Sequence, residues 1–242
     1  MEFKIHLELK SRGFKAGFLL FSDLVIPESS AELDAAIAKL CDAVCAEYAD
    51  KRPSDSMLIE NVRRLFSRCG IDPTKHRPSP EALLRRVLRD GASGFPRIVI
   101  PVDIGNFIQL KYTSPLGLYD ADQLTPPIEI RLGAPDDSYI AIGNREMHTE
   151  GRIVAADSAG VFGSPIADAE RAKVTCGLRH GRSSSAGHPE SPEGSFDAPA
   201  TQNLLVIFYV PQDFSLGEPM RDMAQKITKL CDCELVEESV IA

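Results

Sequence analysis

Apolar positions along the chain follow two periods, which divide it into elements. Near the start, Phe3–Leu9 and Ala16–Ile26 read as strands, the second apolar enough to be buried on both faces. Leu33, Ile37, Leu40 and Val44 then recur at helical spacing and carry a helix to about Asp50, with Ser29 and Glu32 at capping-box distance before it. Leu58, Ile59, Val62, Leu65 and Phe66 stripe a second helix, capped by Asp55 and stopped by Gly70. Ser79-Pro80 starts a third, whose buried face is Leu83, Leu84, Val87 and Leu88. Asp103 is placed to cap a helix running through Phe107, Ile108 and Leu110.

Beyond this point short strands dominate: Ile128–Leu132, Tyr139–Ile142, Ile153–Ala156, Val161–Phe162 and Leu204–Val210. A last helix spans about Leu216 to Cys231, and a strand Cys233–Val236 closes the chain. Helices crowd the first half and strands the second, so the fold class expected is α+β with mixed sheets packed against helices. The 242 residues fit one domain spanning 1–242. Within it, Arg179–Ala200 is rich in Ser, Gly, Pro and Ala and reads as a flexible insertion.

Charge changes this picture locally. The net charge is −8, against a protein wholly dedicated to nucleic acid, yet Lys51–Arg97 carries +6 and the remainder −14. Arg77, Arg85, Arg86, Arg89 and Arg97 are therefore the candidates for RNA phosphate contacts, with solvated helix faces as the alternative. Six cysteines form no Cys-x-x-Cys pair and the five histidines no ligand set, so neither metal nor cofactor is expected. The charged start is unlike a signal peptide, and no apolar run approaches a bilayer span; a cytoplasmic protein without membrane contact is expected.

Candidate chemistry gathers between Arg77 and Arg131. Asp103, Asn106 and Asp120 sit at helix starts and turns, where each could contact a ligand or bond to nearby backbone. Arg131, inside a strand, calls for a carboxylate from substrate or from protein. No phosphate loop, dinucleotide fingerprint or nucleophile elbow is present.

Val102-Asp103-Ile104-Gly105-Asn106, Pro115-Leu116-Gly117-Leu118-Tyr119-Asp120 and Ile128-Glu129-Ile130-Arg131 occur in the order of three motifs found in one known module. From about Ile59 onward the chain resembles the editing module of the phenylalanyl-tRNA synthetase β subunit, its third and fourth B domains. Thr201-Gln202-Asn203-Leu204-Leu205 and Cys231-Asp232-Cys233-Glu234 resemble later parts of it. The resemblance implies a free-standing version and two readings. One is hydrolysis in trans of misacylated aminoacyl-tRNA; the other is a non-catalytic module binding tRNA, an amino acid or an aminoacyl group.

It also implies a substrate pocket of Asp103, Gly105, Asn106, Gly117, Tyr119, Asp120 and Arg131. There the family's threonine is replaced by Gly105, its histidine by Gly117 and its late-strand glutamate by Ile207. Two glycines in place of side chains are expected to leave a roomier pocket with more exposed backbone. The catalytic residues stay unassigned, since the motif retains no nucleophile with a partner.

Overall fold

The computed structural model describes residues 1–177 and 199–242, so the insertion expected at Arg179–Ala200 lies, but for its last two residues, outside the described residues. In chain order the elements are β1 (Phe3–Ile5), α1 (Leu7–Ser11), β2 (Phe14–Ser22), α2 (Ala31–Glu47), α3 (Met57–Arg68), α4 (Ser79–Asp90) and α5 (Ile100–Tyr112). There follow β3 (Leu116–Asp120), β4 (Ile128–Leu132), β5 (Ser138–Ala141), β6 (Arg145–His148), β7 (Ile153–Asp157) and β8 (Gly160–Gly163). The last three are β9 (Leu204–Pro211), α6 (Gly217–Leu230) and β10 (Glu234–Ile241).

The organising strand is β9, which is buried along its whole length. Alternate side chains of a strand point to opposite faces. Leu204, Val206, Phe208 and Val210 enter one core together with apolar residues of α2, α4, α5 and α6. Leu205, Ile207 and Tyr209 enter a second core, shared with Phe14 and Phe18 of β2, Ile128 and Ile130 of β4, and Phe162 of β8. Three layers result. Helices α2, α4, α5 and α6 cover one face of the sheet β10-β2-β9-β3, and the sheet β1-β4-β7-β8 covers the other. On that second side α1 adds Leu9 and α3 adds Val62, Leu65 and Phe66 to the core. The α+β class expected from the pattern is the class observed.

At the outer margin of the first sheet, β10 pairs antiparallel with β2, and its register shifts between Leu235 and Glu237. A small hairpin, β5 with β6, packs beside the second sheet through Tyr139, Ala141 and Met147.

Several local expectations need correction. Phe3–Leu9 is not one strand. β1 pairs in parallel with β4 for three residues, and the chain then coils as α1, which buries Leu9 and leaves Leu7 81% exposed. Ser30 rather than Ser29 caps α2, accepting from the Leu33 amide, and Ser56 rather than Asp55 caps α3. Asp55 instead closes a 3₁₀ turn by accepting from the Arg52 amide at 2.9 Å. The Ser79 hydroxyl leaves the α4 terminus for the Gln109 side chain on α5. The polar strand β6 and the motif strand β3 carry no long apolar run and escape periodicity altogether. All six cysteines are free.

Candidate functional site

Asp103 lies in the first turn of α5, and its buried carboxylate works on the scaffold. It accepts from the Ile98 amide at 2.7 Å and from the Arg97 guanidinium at 2.8 Å, fixing the segment that enters the helix. Arg97 also reaches Asp34 on α2, so three segments meet at this guanidinium. Asn106, one turn on, accepts from Gln109 at 3.5 Å. Gly105 is a point of close approach: a Cβ there would stand 2.5 Å from Leu118 Cδ1 and 3.3 Å from Leu116 Cδ1. The helix rests directly on β3 at this residue.

Gly117 faces the opposite way. A Cβ on it would meet the Tyr119 hydroxyl at 2.3 Å, and a Cβ on Gly163 of β8 would meet the same ring at 2.5 Å. Side chains two apart on a strand share a face, so the Tyr119 ring folds back over Gly117 and fills the room left by both glycines. Gly117 pairs across the ladder with Ile207, which brings two of the motif positions singled out from sequence side by side. Gly105 is separated from them by β3 itself. The two glycines therefore do not open one roomy pocket; aliphatic ends fill one space and an aromatic ring the other.

Tyr119 is fully buried, and its hydroxyl lies 2.8 Å from that of Tyr209. Asp168, on the segment after β8, brings its enclosed carboxyl to the Tyr119 hydroxyl; burial pushes its pKa up to about 7, against a smaller lowering by the tyrosine. Burial likewise holds both tyrosines well above the usual phenol range. Tyr139 extends the polar group, with its hydroxyl 3.0 Å from Ser164 Oγ and donating to the Ala167 carbonyl at 2.6 Å. Asp168 was not singled out from sequence. A lone Asp in Pro165-Ile166-Ala167-Asp168 carries no signal of burial.

The remaining motif residues are also bound within the protein. Asp120 accepts from the buried Thr201 hydroxyl at 2.9 Å and from the Asp122 amide at 3.1 Å. Burial raises its pKa, while these donors oppose the rise. Arg131 finds its carboxylate in the protein, pairing with Asp137 and donating to the Leu132 carbonyl at 3.1 Å. That guanidinium holds Asp137 below the usual carboxylate range.

The arginines are arranged differently. Glu81, in the first turn of α4, is buried to 1% exposure. Arg63 of α3 reaches it at 2.8 Å, Arg85 at 3.1 Å and Arg77 at 3.5 Å. Arg85 follows Glu81 by one turn of α4, Arg77 reaches it from the segment just before the helix, and α3 supplies the third cation. A sunken carboxylate thus holds three guanidiniums that remain half exposed. Arg89 pairs with Asp90, and Arg86 stands exposed on α4. Of the five arginines expected to face phosphate, Arg77 and Arg85 converge; Arg97 is drawn to the α5 entry and Arg89 to its neighbour. Arg63, which belongs to the cluster, was missed, although Glu81 at matched spacing between two arginines was a readable signal.

Among the described residues no group of three or more His, Cys, Asp or Glu is placed to hold a metal ion, and no helix is long and apolar enough to cross a membrane.

The architecture defines a layered α+β protein whose motif region sits at the junction of α5, β3 and β9. Residues 61–179 match the family described as the B3/4 domain. Among curated proteins, the phenylalanine–tRNA ligase β subunit of Neisseria meningitidis serogroup B is 26% identical over 113 residues, which is 46% of this chain and 14% of that protein. The β subunit of Haemophilus influenzae is 26% identical over 129 residues, 50% of this chain and 16% of that protein. Among solved structures, an N-terminal fragment of the Pyrococcus horikoshii phenylalanyl-tRNA synthetase β subunit covers the whole chain and 54% of its own length, at 14% identity and a TM-score of 0.46. The chain is a homologue of the B3/B4 region of these β subunits, and it matches only about a seventh of their length.

Proposed function

We propose that this chain is a tRNA-binding module that contacts the phosphate backbone through Arg63, Arg77 and Arg85 and does not hydrolyse aminoacyl esters with its motif residues. The observation that carries the reading is the convergence of these three guanidiniums on the buried Glu81. One carboxylate against three cations leaves the α3–α4 surface positive in a chain whose net charge is −8. Arginine held in a fixed position suits phosphate, which it can meet through two N–H donors at once. The kinship with tRNA-ligase β subunits supports tRNA as the nucleic acid. The non-catalytic part is supported by the engagement of Asp103, Asp120 and Arg131 in bonds within the protein and by the ring that occupies the space beside Gly117.

Filter binding of tRNA across a salt series tests the phosphate contacts. Affinity is expected to fall with salt at a log–log slope of about −0.7 to −0.9 per phosphate neutralised. Reversing Arg77 and Arg85 to Glu should flatten that slope and weaken binding. Absence of binding at low salt overturns the nucleic-acid partner. Release of any amino acid from a panel of mischarged tRNAs faster than in buffer overturns the non-catalytic part.

A further inference from the structure

Two hollows beside α3 share Asn61, Pro211 and Asp213 as a common wall. The larger, about 660 Å³, is lined by Arg63, Arg64 and Arg68; the smaller, about 320 Å³, by Leu58, Tyr112 and Phe214. Together they make one cleft with a cationic end, an end where Leu58, Tyr112 and Phe214 stand beside Lys111 and Glu218, and two hydrogen-bonding side chains between. The geometry points to a nucleotide site here: phosphate on Arg64 and Arg68, ribose hydroxyls on Asp213 and Asn61, and the base against Phe214 and Leu58. It deepens the tRNA reading, since Arg63 belongs both to the Glu81 cluster and to the cleft wall.

The charges at the cationic end are available. Arg64 pairs with Glu60 as an exposed neighbour one helical turn away, a contact worth too little to resist a phosphate. Arg68 makes no ion pair among the described residues. Arg12, itself paired with Glu8, donates to the Arg68 carbonyl at 2.8 Å and so ties α1 to the end of α3. At the other end, Leu58 is 47% exposed and Phe214 partly so, leaving apolar surface for a base to cover. Cationic grooves with aromatic platforms are the combination that holds unpaired nucleotides. The same chemistry serves a nucleotide of a bound RNA or a free mononucleotide.

Calorimetric titration of the full chain with AMP, adenosine, inorganic phosphate and a single-stranded RNA trinucleotide tests the site. AMP is expected to bind about tenfold or more tighter than adenosine or phosphate, because both ends contribute. A trinucleotide tighter than AMP marks RNA as the source of the unit; a trinucleotide weaker than AMP marks a free nucleotide. Arg64→Glu with Arg68→Glu should weaken AMP roughly tenfold and leave adenosine unchanged. Leu58→Asp and Phe214→Ala should weaken AMP and adenosine alike, about fivefold or more; Leu58 is exposed enough to keep this arm informative if Phe214→Ala unfolds. AMP binding no tighter than phosphate, or unmoved by these changes at either end, overturns the site. Intact tRNA binding without AMP or trinucleotide binding overturns the cleft alone. AMP binding without tRNA binding overturns the tRNA reading alone.

Discussion

The two faces of β3 and β9 use glycine for opposite ends. On the helical face, Gly105 lets α5 settle onto Leu116 and Leu118, and the contact is apolar. On the sheet face, Gly117 and Gly163 make room for one tyrosine ring, whose hydroxyl opens a buried polar group with Tyr209 and Asp168. A missing Cβ on the first face shortens the distance between elements; on the second it houses a side chain from two residues away. A glycine in place of a side chain is therefore not evidence of space. What matters is the size and freedom of the neighbour that takes its place.

The sharpest way to break this comparison is to restore a Cβ on each face. Gly117→Ala collides with a ring locked between two strands and a hydrogen-bonded hydroxyl, and should cost about 3 kcal/mol in urea denaturation. Pairing it with Tyr119→Ala should recover part of that loss non-additively. If Gly117→Ala is tolerated better than Gly105→Ala, the assignment of tight and yielding faces is wrong.

Asp168 gives the next effect, about 2–4 kcal/mol, through pH. Its carboxyl ionises near 3.8 unfolded and near 7 folded, so the folded state holds an extra proton between those values. Its contribution to stability is therefore largest below about pH 4, declines as pH rises to 7 and is flat above. Asp168→Asn should remove that slope and be the more stable protein at pH 8. Parallel pH profiles for the two proteins would show that the carboxyl is not enclosed.

On the helical side, Glu81→Gln should cost about 1–2 kcal/mol, since the released arginines can turn to water. The same variant should weaken tRNA binding at low salt, because the three arginines are no longer held in place for phosphate; unchanged or tighter binding would count against a cluster fixed by Glu81. Gly105→Ala is expected to be mildest, about 1 kcal/mol or less. Its obstacle is the flexible end of Leu118, and alanine gains up to about 1 kcal/mol of helix propensity over glycine.

What could be read from sequence follows the same division. The helix stripes, the apolar runs of Ala16–Ile26 and Leu204–Val210 and the order of the three motifs are periodic or contiguous signals, and each holds its expected element. The turn into α1 could not be read because Phe3–Leu9 suits a strand until the pairing with β4 ends after Ile5. For the candidate site, residue identities were legible but their partners were not. Asp103 with the Ile98 amide, Arg131 with Asp137 and Asp168 with Tyr119 are contacts set by tertiary packing, which spacing does not encode. Arg63 and Glu81 lie eighteen residues apart and meet only in the folded chain.

The margin formed by β10 has a consequence for how copies of this chain behave together. A free strand edge is a template on which another copy can add a strand. Here Leu235, Val236 and Val240 are exposed, which would favour such growth, but Glu234, Glu237 and Glu238 stand among them. The register shift after Leu235 further spoils the regular ladder a newcomer would need. An antiparallel copy would bring carboxylates against carboxylates along an irregular edge, so the margin that ends the sheet also keeps neighbouring molecules from extending it.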